Sequence, residues 1–319
     1  MNILVTGGAG FIGVNLIKYL LKGTEWKINV LDNLSTGKKD HLSAIDNYTP
    51  ERVTFLKGDI RNKKDAENAA RDCDYIVNLA AQTDVMESID NPLNDAKINI
   101  LGTINVLNAA VKEGCRRVVH ASSAAPLGEQ EPPVHEQKVP CPLSPYGASK
   151  LACEGYCSTY AGSYNLNTVA LRFSNVYGPY SYHKGSVVAL WIKQLLRDER
   201  PVIYGDGNQT RDFIHAKDIA TAIYLSLTTE LPSTYELFQI ATGEETIINA
   251  LYRIIREELE KKNYTVPEPQ YKEERAGEIY RNYADISKAK KLLGYTPSIS
   301  LKDGTRETVG WFVKEKIRV

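Results

Sequence analysis

The sequence predicts an α/β protein, with a doubly wound parallel sheet and a smaller C-terminal lobe interwoven with it. Three observations carry that expectation. Short, continuously apolar runs alternate with helical stretches through the first half of the 319 residues, as strands buried on both faces of a parallel sheet do. Gly7, Gly10 and Gly13 stand between the first apolar run and the first helical stretch. An acidic residue, Asp32, closes the second run about 20 residues further on.

Taken in order, "NILVT" is the first strand, residues 11–22 the first helix and "KINVLD" the second strand. A variable segment follows, then "VTFLKGD", a helix near 63–71 and "YIVNLAA". A long helix near 92–113 leads to "RRVVHAS", and another helix starts at Pro145, whose fixed φ and missing N–H suit a first turn. "TVALRFSNVYG" continues the sheet, while "PVIYGDGNQTRDFIHAKDIATAIYLSL" mixes a turn-rich loop with a strand and a helix. Right-handed crossovers would join the parallel strands.

Composition excludes several classes of partner. Lys plus Arg and Asp plus Glu balance at 39 each, so the overall charge favours neither nucleic acid nor an anionic membrane. No apolar run approaches the roughly 18 residues of a membrane helix, and Met1 leads directly into a strand, so the expected compartment is the cytoplasm. The five cysteines form no CxxC pair, which indicates neither a disulfide framework nor a metal site. Cys153 and Cys157 share a helix face as small buried hydrophobes.

"VTGGAGFIG" has the placement that gives a glycine triplet its meaning. Glycines there make a tight turn, admit a pyrophosphate close to the backbone and let helix pack on strand, while the helix N-terminus offers N–H groups and a positive dipole. Asp32 would accept hydrogen bonds from an adenosine ribose and repel a 2′-phosphate, which favours NAD over NADP. Asp59, at the end of the third strand, is either a neighbour of the adenine or a turn residue.

Tyr146 and Lys150 in "SPYGASK" lie four apart and share a helix face. An ammonium beside a phenol favours the phenolate, so the pair could act as a base near neutral pH. Packing of the ring under the lysine stem is the other reading.

"TGGAGFIG", "GDIR", "NLAAQ", Asn99 in "NILGT" and "YGASK", in this order, resemble the extended short-chain dehydrogenase/reductase family. "LRFSNVYGP", "YGDGNQTRDFIHAKDIA" and "RAGEIYRNYADISKAKKLLGY" look like its sugar-nucleotide 4-epimerase branch. The resemblance implies a Rossmann-type sheet domain over 1–172, also receiving about 213–230, and a sugar-nucleotide lobe over 173–212 and 231–319. It implies bound NAD, touched by the turn through Phe11 and Ile12, by Asp32 and Asn33, by Asp59 and Ile60, by Leu79, Ala80, Ala81 and Gln82, and by Asn99. Tyr146 would be the proton acceptor, and Lys150 would hold the nicotinamide ribose and lower the tyrosine's pKa. Asn175 and Arg211 would meet the diphosphate of a UDP-sugar, with Arg275 and Glu278 near its ribose.

A hydroxyl after "RRVVH" should complete the site. Anchoring "SSAAPLG" on Gly128 places it at Ser123, whereas counting back from Tyr146 lands on Ala121; Ser123 is preferred, with Ser122 in reserve. "PLG" also departs from the family's usual Val–Tyr–Gly. Dehydratases and decarboxylases of the family carry an acid one or two places after that hydroxyl, where this chain has Ala124 and Ala125. Alanine moves no proton, which favours 4-epimerisation. Another sugar-nucleotide dehydratase, decarboxylase or ketoreductase of the family, and a catalytically silent NAD-binding protein, are the alternative readings. Asn282, two places before "ADISKA", stands where the resembling epimerases gate room for an N-acetyl group, so UDP-N-acetylglucosamine and UDP-N-acetylgalactosamine are preferred, with UDP-glucose and UDP-galactose as further substrates. A loop polar residue is the plainer reading of Asn282. A homodimer through the 92–113 and Pro145 helices is also implied.

Overall fold

The structure is a computed structural model that describes residues 1–274 and 280–318. β1 (Asn2–Thr6), α1 (Phe11–Gly23), β2 (Lys27–Asp32), α2 (Lys39–Ser43) and β3 (Val53–Lys57) open the chain, followed by α3 (Lys63–Ala70) and β4 (Tyr75–Asn78). Two short helices, α4 (Val85–Asp90) and α5 (Pro92–Ala96), run through a π-helical turn at Lys97–Leu101 into α6 (Gly102–Glu113). β5 (Arg117–Ser123) then leads to α7 (Pro145–Tyr164) and β6 (Asn167–Phe173). Beyond these come β7 (Asn175–Tyr177), α8 (Val187–Leu195), β8 (Val202–Tyr204), β9 (Thr210–Arg211), β10 (Phe213–His215) and α9 (Ala216–Thr228). The chain ends with β11 (Tyr235–Ile240), β12 (Thr246–Ile247), α10 (Ile248–Glu260), β13 (Gln270–Lys272), α11 (Ser287–Leu293) and α12 (Leu301–Arg318).

Seven strands form one parallel sheet in the order β11-β6-β5-β4-β1-β2-β3. The order reverses at β1, and the strand ends on either side of that reversal face the glycine turn, where open α/β sheets bind ligands. One face buries Val5, Leu16, Ile17, Ile219 and Ile223 between the sheet and the α1–α9 pair. The other buries Leu4, Ile76, Val106, Leu107 and Val118 under α3, α6 and α7. Each central strand is apolar on both faces, which is why its sequence does not alternate.

Three expectations are corrected. The segment "TVALRFSNVYG" breaks at Ser174: β6 stays in the main sheet, while β7 pairs with β10 as a separate two-stranded ribbon. Tyr235–Ile240, assigned above to the second lobe, is instead the sheet's edge strand beside β6. Its last three residues, Phe238, Gln239 and Ile240, are buried, with α7 and α11 packed against the strand. The single helix expected over 92–113 is interrupted by the π-helical turn, and that turn carries Asn99. A third core, with Trp191, Ile192, Phe213, Leu251, Ile255 and Phe312, holds α8, α10 and α12 together as the smaller lobe.

Candidate active site

The glycine turn has the shape a dinucleotide requires. Gly7 adopts φ +67°, and a Cβ on Gly13 would stand 2.4 Å from the Gly7 carbonyl, so only glycine lets the first turn of α1 sit this close to the turn before it. Gly10 is the N-cap residue of α1 and supplies no side-chain cap, which leaves the first N–H groups of the helix, those of Phe11, Ile12 and Gly13, open to an anion. Asp32, buried at the end of β2, accepts the N–H of Ala9 at 3.0 Å and of Leu34 at 2.8 Å. Burial raises its carboxyl pKa, against the lowering effect of those two bonds. Asn33 donates to Asp59 at 2.8 Å, and Arg61 grips the same carboxylate, so Asp59 closes a strand-end loop. These residues fit the adenosine and pyrophosphate half of NAD.

Deeper in the cleft, the strand end from Leu79 to Gln82 is held from behind. Asn99, carried by the π-helical turn and fully buried, accepts the Gln82 N–H at 2.9 Å, and its amide nitrogen lies 3.1 Å from the Gln82 carbonyl. The same nitrogen lies 2.9 Å from Asp95 Oδ1 and 3.1 Å from Ser149 Oγ. Thr6, Asn78, Thr103 and His120 form a second buried polar group behind the strand ends.

α7 presents Tyr146 and Lys150 to this floor. Ser144 caps the helix through the Gly147 N–H, and the Tyr146 N–H is taken by Ser88 Oγ at 3.1 Å, which seats the first turn against α4. A Cβ on Gly147 would lie 2.7 Å from the Ala125 carbonyl, so glycine here lets the loop after β5 approach Tyr146. Ser123, at the end of β5, accepts the Ala125 N–H at 3.2 Å and stands close enough to the Tyr146 phenol to favour its ionised form. Ser122 does not share that position: neighbours on a strand point to opposite faces, and its hydroxyl lies 2.5 Å from Glu154 Oε1 instead. Glu154 in turn receives a two-point bond from Arg172, at 2.8 and 2.7 Å, with all three side chains buried. Ala121, the other register, points no hydroxyl anywhere, but its carbonyl accepts the Lys150 ammonium at 2.8 Å.

The expected electrostatics change in one respect. Burial pushes the Tyr146 phenol up to about 12; the Ser123 hydroxyl opposes this, while Asp95 and Cys153 add to it. Lys150 sits 5.9 Å from the tyrosine ring centre, and burial lowers its own pKa. In the protein alone, desolvation dominates the pKa of the phenol.

The second lobe gathers its expected polar residues around Asp212 and the Val134–Ala284 bridge. Asn175 is exposed on β7, with its side-chain amide 3.1 Å from the Asp212 carbonyl. Arg211, half-buried on β9, donates to the Thr210 carbonyl at 2.7 Å, and Asn282 is half-buried just before the Val134–Ala284 bridge. Arg275 and Glu278 lie outside the described residues. Sequence reasoning missed Asp95, Glu154 and Arg172. Asp95 and Glu154 were detectable as acids one helical turn from Asn99 and Lys150 respectively, whereas the pairing of Glu154 with Arg172 spans two elements and left no local signal.

Sheet order, glycine turn and the Tyr146–Lys150 helix together define an α/β protein of the extended short-chain dehydrogenase/reductase architecture. Within it, a family model described as GDP-mannose 4,6 dehydratase matches residues 4–308, and the chain belongs to that family. A putative UDP-glucose 4-epimerase of Methanocaldococcus jannaschii is 39% identical over 314 residues, covering 97% of each chain. Among solved structures, a UDP-N-acetylglucosamine 4-epimerase from Methanobrevibacter ruminantium in complex with UDP-N-acetylmuramic acid is 35% identical with a TM-score of 0.90, covering 98% of each chain. A dTDP-glucose 4,6-dehydratase from Streptomyces venezuelae with NAD and TYD bound is 31% identical, also at a TM-score of 0.90, covering 100% of this chain and 98% of that one. The relatives are thus sugar-nucleotide epimerases and dehydratases.

Proposed function

We propose that the protein is an NAD-dependent UDP-sugar 4-epimerase, acting on UDP-N-acetylglucosamine and UDP-N-acetylgalactosamine and also on UDP-glucose and UDP-galactose. The observation that carries the choice of reaction is the pairing of Tyr146 with Ser123 beside Ala124 and Ala125, which supply a proton acceptor for a sugar hydroxyl and no acid for elimination. The turn from Gly7 to Gly13, Asp32, Asn33, Asp59, Ile60 and the strand end Leu79–Gln82 would hold NAD, with Lys150 on its ribose. When bound, NAD supplies a reversible hydride acceptor for C4 and a positive charge in the cleft.

Tyr146 takes the O4 proton and later returns it, and Ser123 steadies the oxygen between the two events. Lys150, fixed on the Ala121 carbonyl, keeps a positive charge near the phenol. Asn175 and Arg211 hold the diphosphate while the 4-keto sugar turns about that linkage, so the proton and hydride return at the opposite face. A planar guanidinium suits this task because it can donate two parallel bonds to phosphate oxygens. The half-buried Asn282 leaves room for an acetamido group. Exposed Leu101, Val111, Tyr156 and Tyr164 on the π-helical turn, α6 and α7 support pairing of two copies through these helices.

The test is incubation of the purified protein, without added cofactor, with UDP-N-acetylglucosamine, UDP-glucose and dTDP-glucose in separate samples followed by proton NMR. Appearance of the C4 epimer of a UDP-sugar is expected, and Tyr146→Phe should abolish it while leaving NAD in place. A 4-keto-6-deoxy product from dTDP-glucose, with no epimer from either UDP-sugar, would replace the reading with a dehydratase.

A further inference from the structure

Asp95 is a buried carboxylate that the proposed chemistry does not use. It lies on α5, is 1% exposed, and reaches Asn99 with Oδ1, while Oδ2 has no hydrogen-bond partner among the described residues. An oxygen left bare in the interior is costly unless something charged compensates it. Burial raises the Asp95 pKa, and against that the Ser149 hydroxyl and the Lys150 ammonium favour its ionised form. In the hydrogen-bond geometry the Ser149 hydroxyl accepts from Asn99 at 3.1 Å and donates to the Tyr146 carbonyl at 3.0 Å. A continuous path therefore runs from the Gln82 strand end through Asn99 and Ser149 to the first turn of α7, and Asp95 Oδ1 holds the Asn99 amide at its centre.

We infer that Asp95 is a positioning residue that ties the Tyr146–Lys150 face of α7 to the end of β4, and that its carboxylate is the counter-charge against which that pair works. The surroundings leave this role to Asp95. Tyr146 is acted on by Asp95 from α5 and by the Cys153 thiol from its own helix, and burial keeps that thiol protonated. Lys150 faces Asp95, Cys153, Glu154 and Cys157, and His120 from β5. Of these, Glu154 is held in the Arg172 fork, and His120 is kept neutral by burial and by Lys150 itself. Asparagine has the shape of Asp95 and can accept the same Asn99 bond, so Asp95→Asn removes the charge with little change to the framework.

Only the kinetic arm of the test rests on the epimerase reading. In the holoenzyme, Asp95→Asn should move the acid limb of the kcat/KM profile to lower pH by roughly half a unit or more, because a negative charge that opposes the phenolate is gone. KM for the UDP-sugar should stay within about twofold. A rate that falls equally at every pH, with the limb unmoved, would reduce Asp95 to a structural residue and overturn the inference. The second arm is a spectrophotometric titration of the Tyr146 phenol, read as the difference between proteins with and without Tyr146→Phe, in the native and Asp95→Asn backgrounds. The phenol should ionise at lower pH in the variant; an unmoved titration overturns the inference even if no sugar nucleotide is turned over. Asp95→Ser, smaller and also uncharged, serves in both arms if the asparagine variant does not fold, with the same outcomes expected.

Discussion

Ser122 and Glu154 meet at 2.5 Å on the side of β5 that faces away from Ser123, so two consecutive serines have separate duties. Ser122→Ala removes one hydrogen bond from a carboxylate that keeps both bonds to Arg172, and should lower stability by about 1–2 kcal/mol with turnover preserved. Ser123→Ala should leave stability nearly unchanged and cut kcat by about 10²-fold or more, since the hydrogen bond to the reacting oxygen is lost. Urea unfolding and initial rates on the two variants separate the cases, and equal kinetic damage from both would sink the distinction.

Glu154 and Arg172 join α7 to β6 through a pair almost wholly out of water. Either single change, Glu154→Leu or Arg172→Met, strands one charge in the interior and should destabilise by about 3–5 kcal/mol. Glu154→Leu and Arg172→Met made together should cost clearly less than the two singles combined. Denaturation midpoints for the four proteins would show it; strict additivity would mean that the charges do not depend on each other.

Arg61 holds the Asp59 carboxyl at about 2, well below its ordinary 3.8, chiefly through its hydrogen bonds. A depressed folded-state value means stability that is fully present above the unfolded value and lost as pH falls from about 4 toward about 2. Arg61 is exposed and Asp59 only half-buried, so screening keeps the contribution under about 1 kcal/mol. Arg61→Ala should therefore be slightly less stable than the native protein at pH 6 and indistinguishable from it near pH 2. Urea midpoints across that range check the sign, and a difference that widened on acidification would contradict it.

In the proposed epimerase, Asn282 borders the sugar and tyrosine there would fill the room for an acetamido group. Asn282→Tyr should reduce kcat/KM for UDP-N-acetylglucosamine at least 10-fold while UDP-glucose falls by no more than about twofold, a methyl-sized clash being worth roughly that much. Parallel rates with the two sugars decide it. Equal losses would show that residue 282 serves the loop and not the substrate.

Most of the sheet was legible because a parallel strand buried on both faces writes itself as an unbroken apolar run, and the glycine turn at residues 7–13 has a fixed place between the first strand and the first helix. The Tyr146–Lys150 face followed from helical spacing alone. Sequence did not show which sheet receives Tyr235–Ile240, since a six-residue strand that mixes apolar residues with Glu236 and Gln239 fits either a lobe or an edge. Nor could it tell Ser122 from Ser123: that choice depends on the strand's register against α7, which Glu154 fixes from another element. The π-helical turn was invisible because "KINIL" has no proline or glycine to mark a change in helical winding. Spacing reports the charge beside Tyr146 but not the loss of water around the ring, which pushes the phenol up in the protein alone.

Asp212 ties the cleft's far wall together. Its fully buried carboxylate collects the N–H groups of Thr242 and Gly243, the Thr242 hydroxyl and, more distantly, the Ala284 N–H, while its carbonyl takes both nitrogens of Asn175 and the hydroxyl of Ser174. One residue thus rivets four stretches of chain that are far apart in sequence, directly beside Arg211. An engineer who wanted a different nucleotide or sugar could not transplant one of these loops from a cousin without tearing out the rivet. Recognition here has to be retuned one side chain at a time, on a backbone that stays where it is.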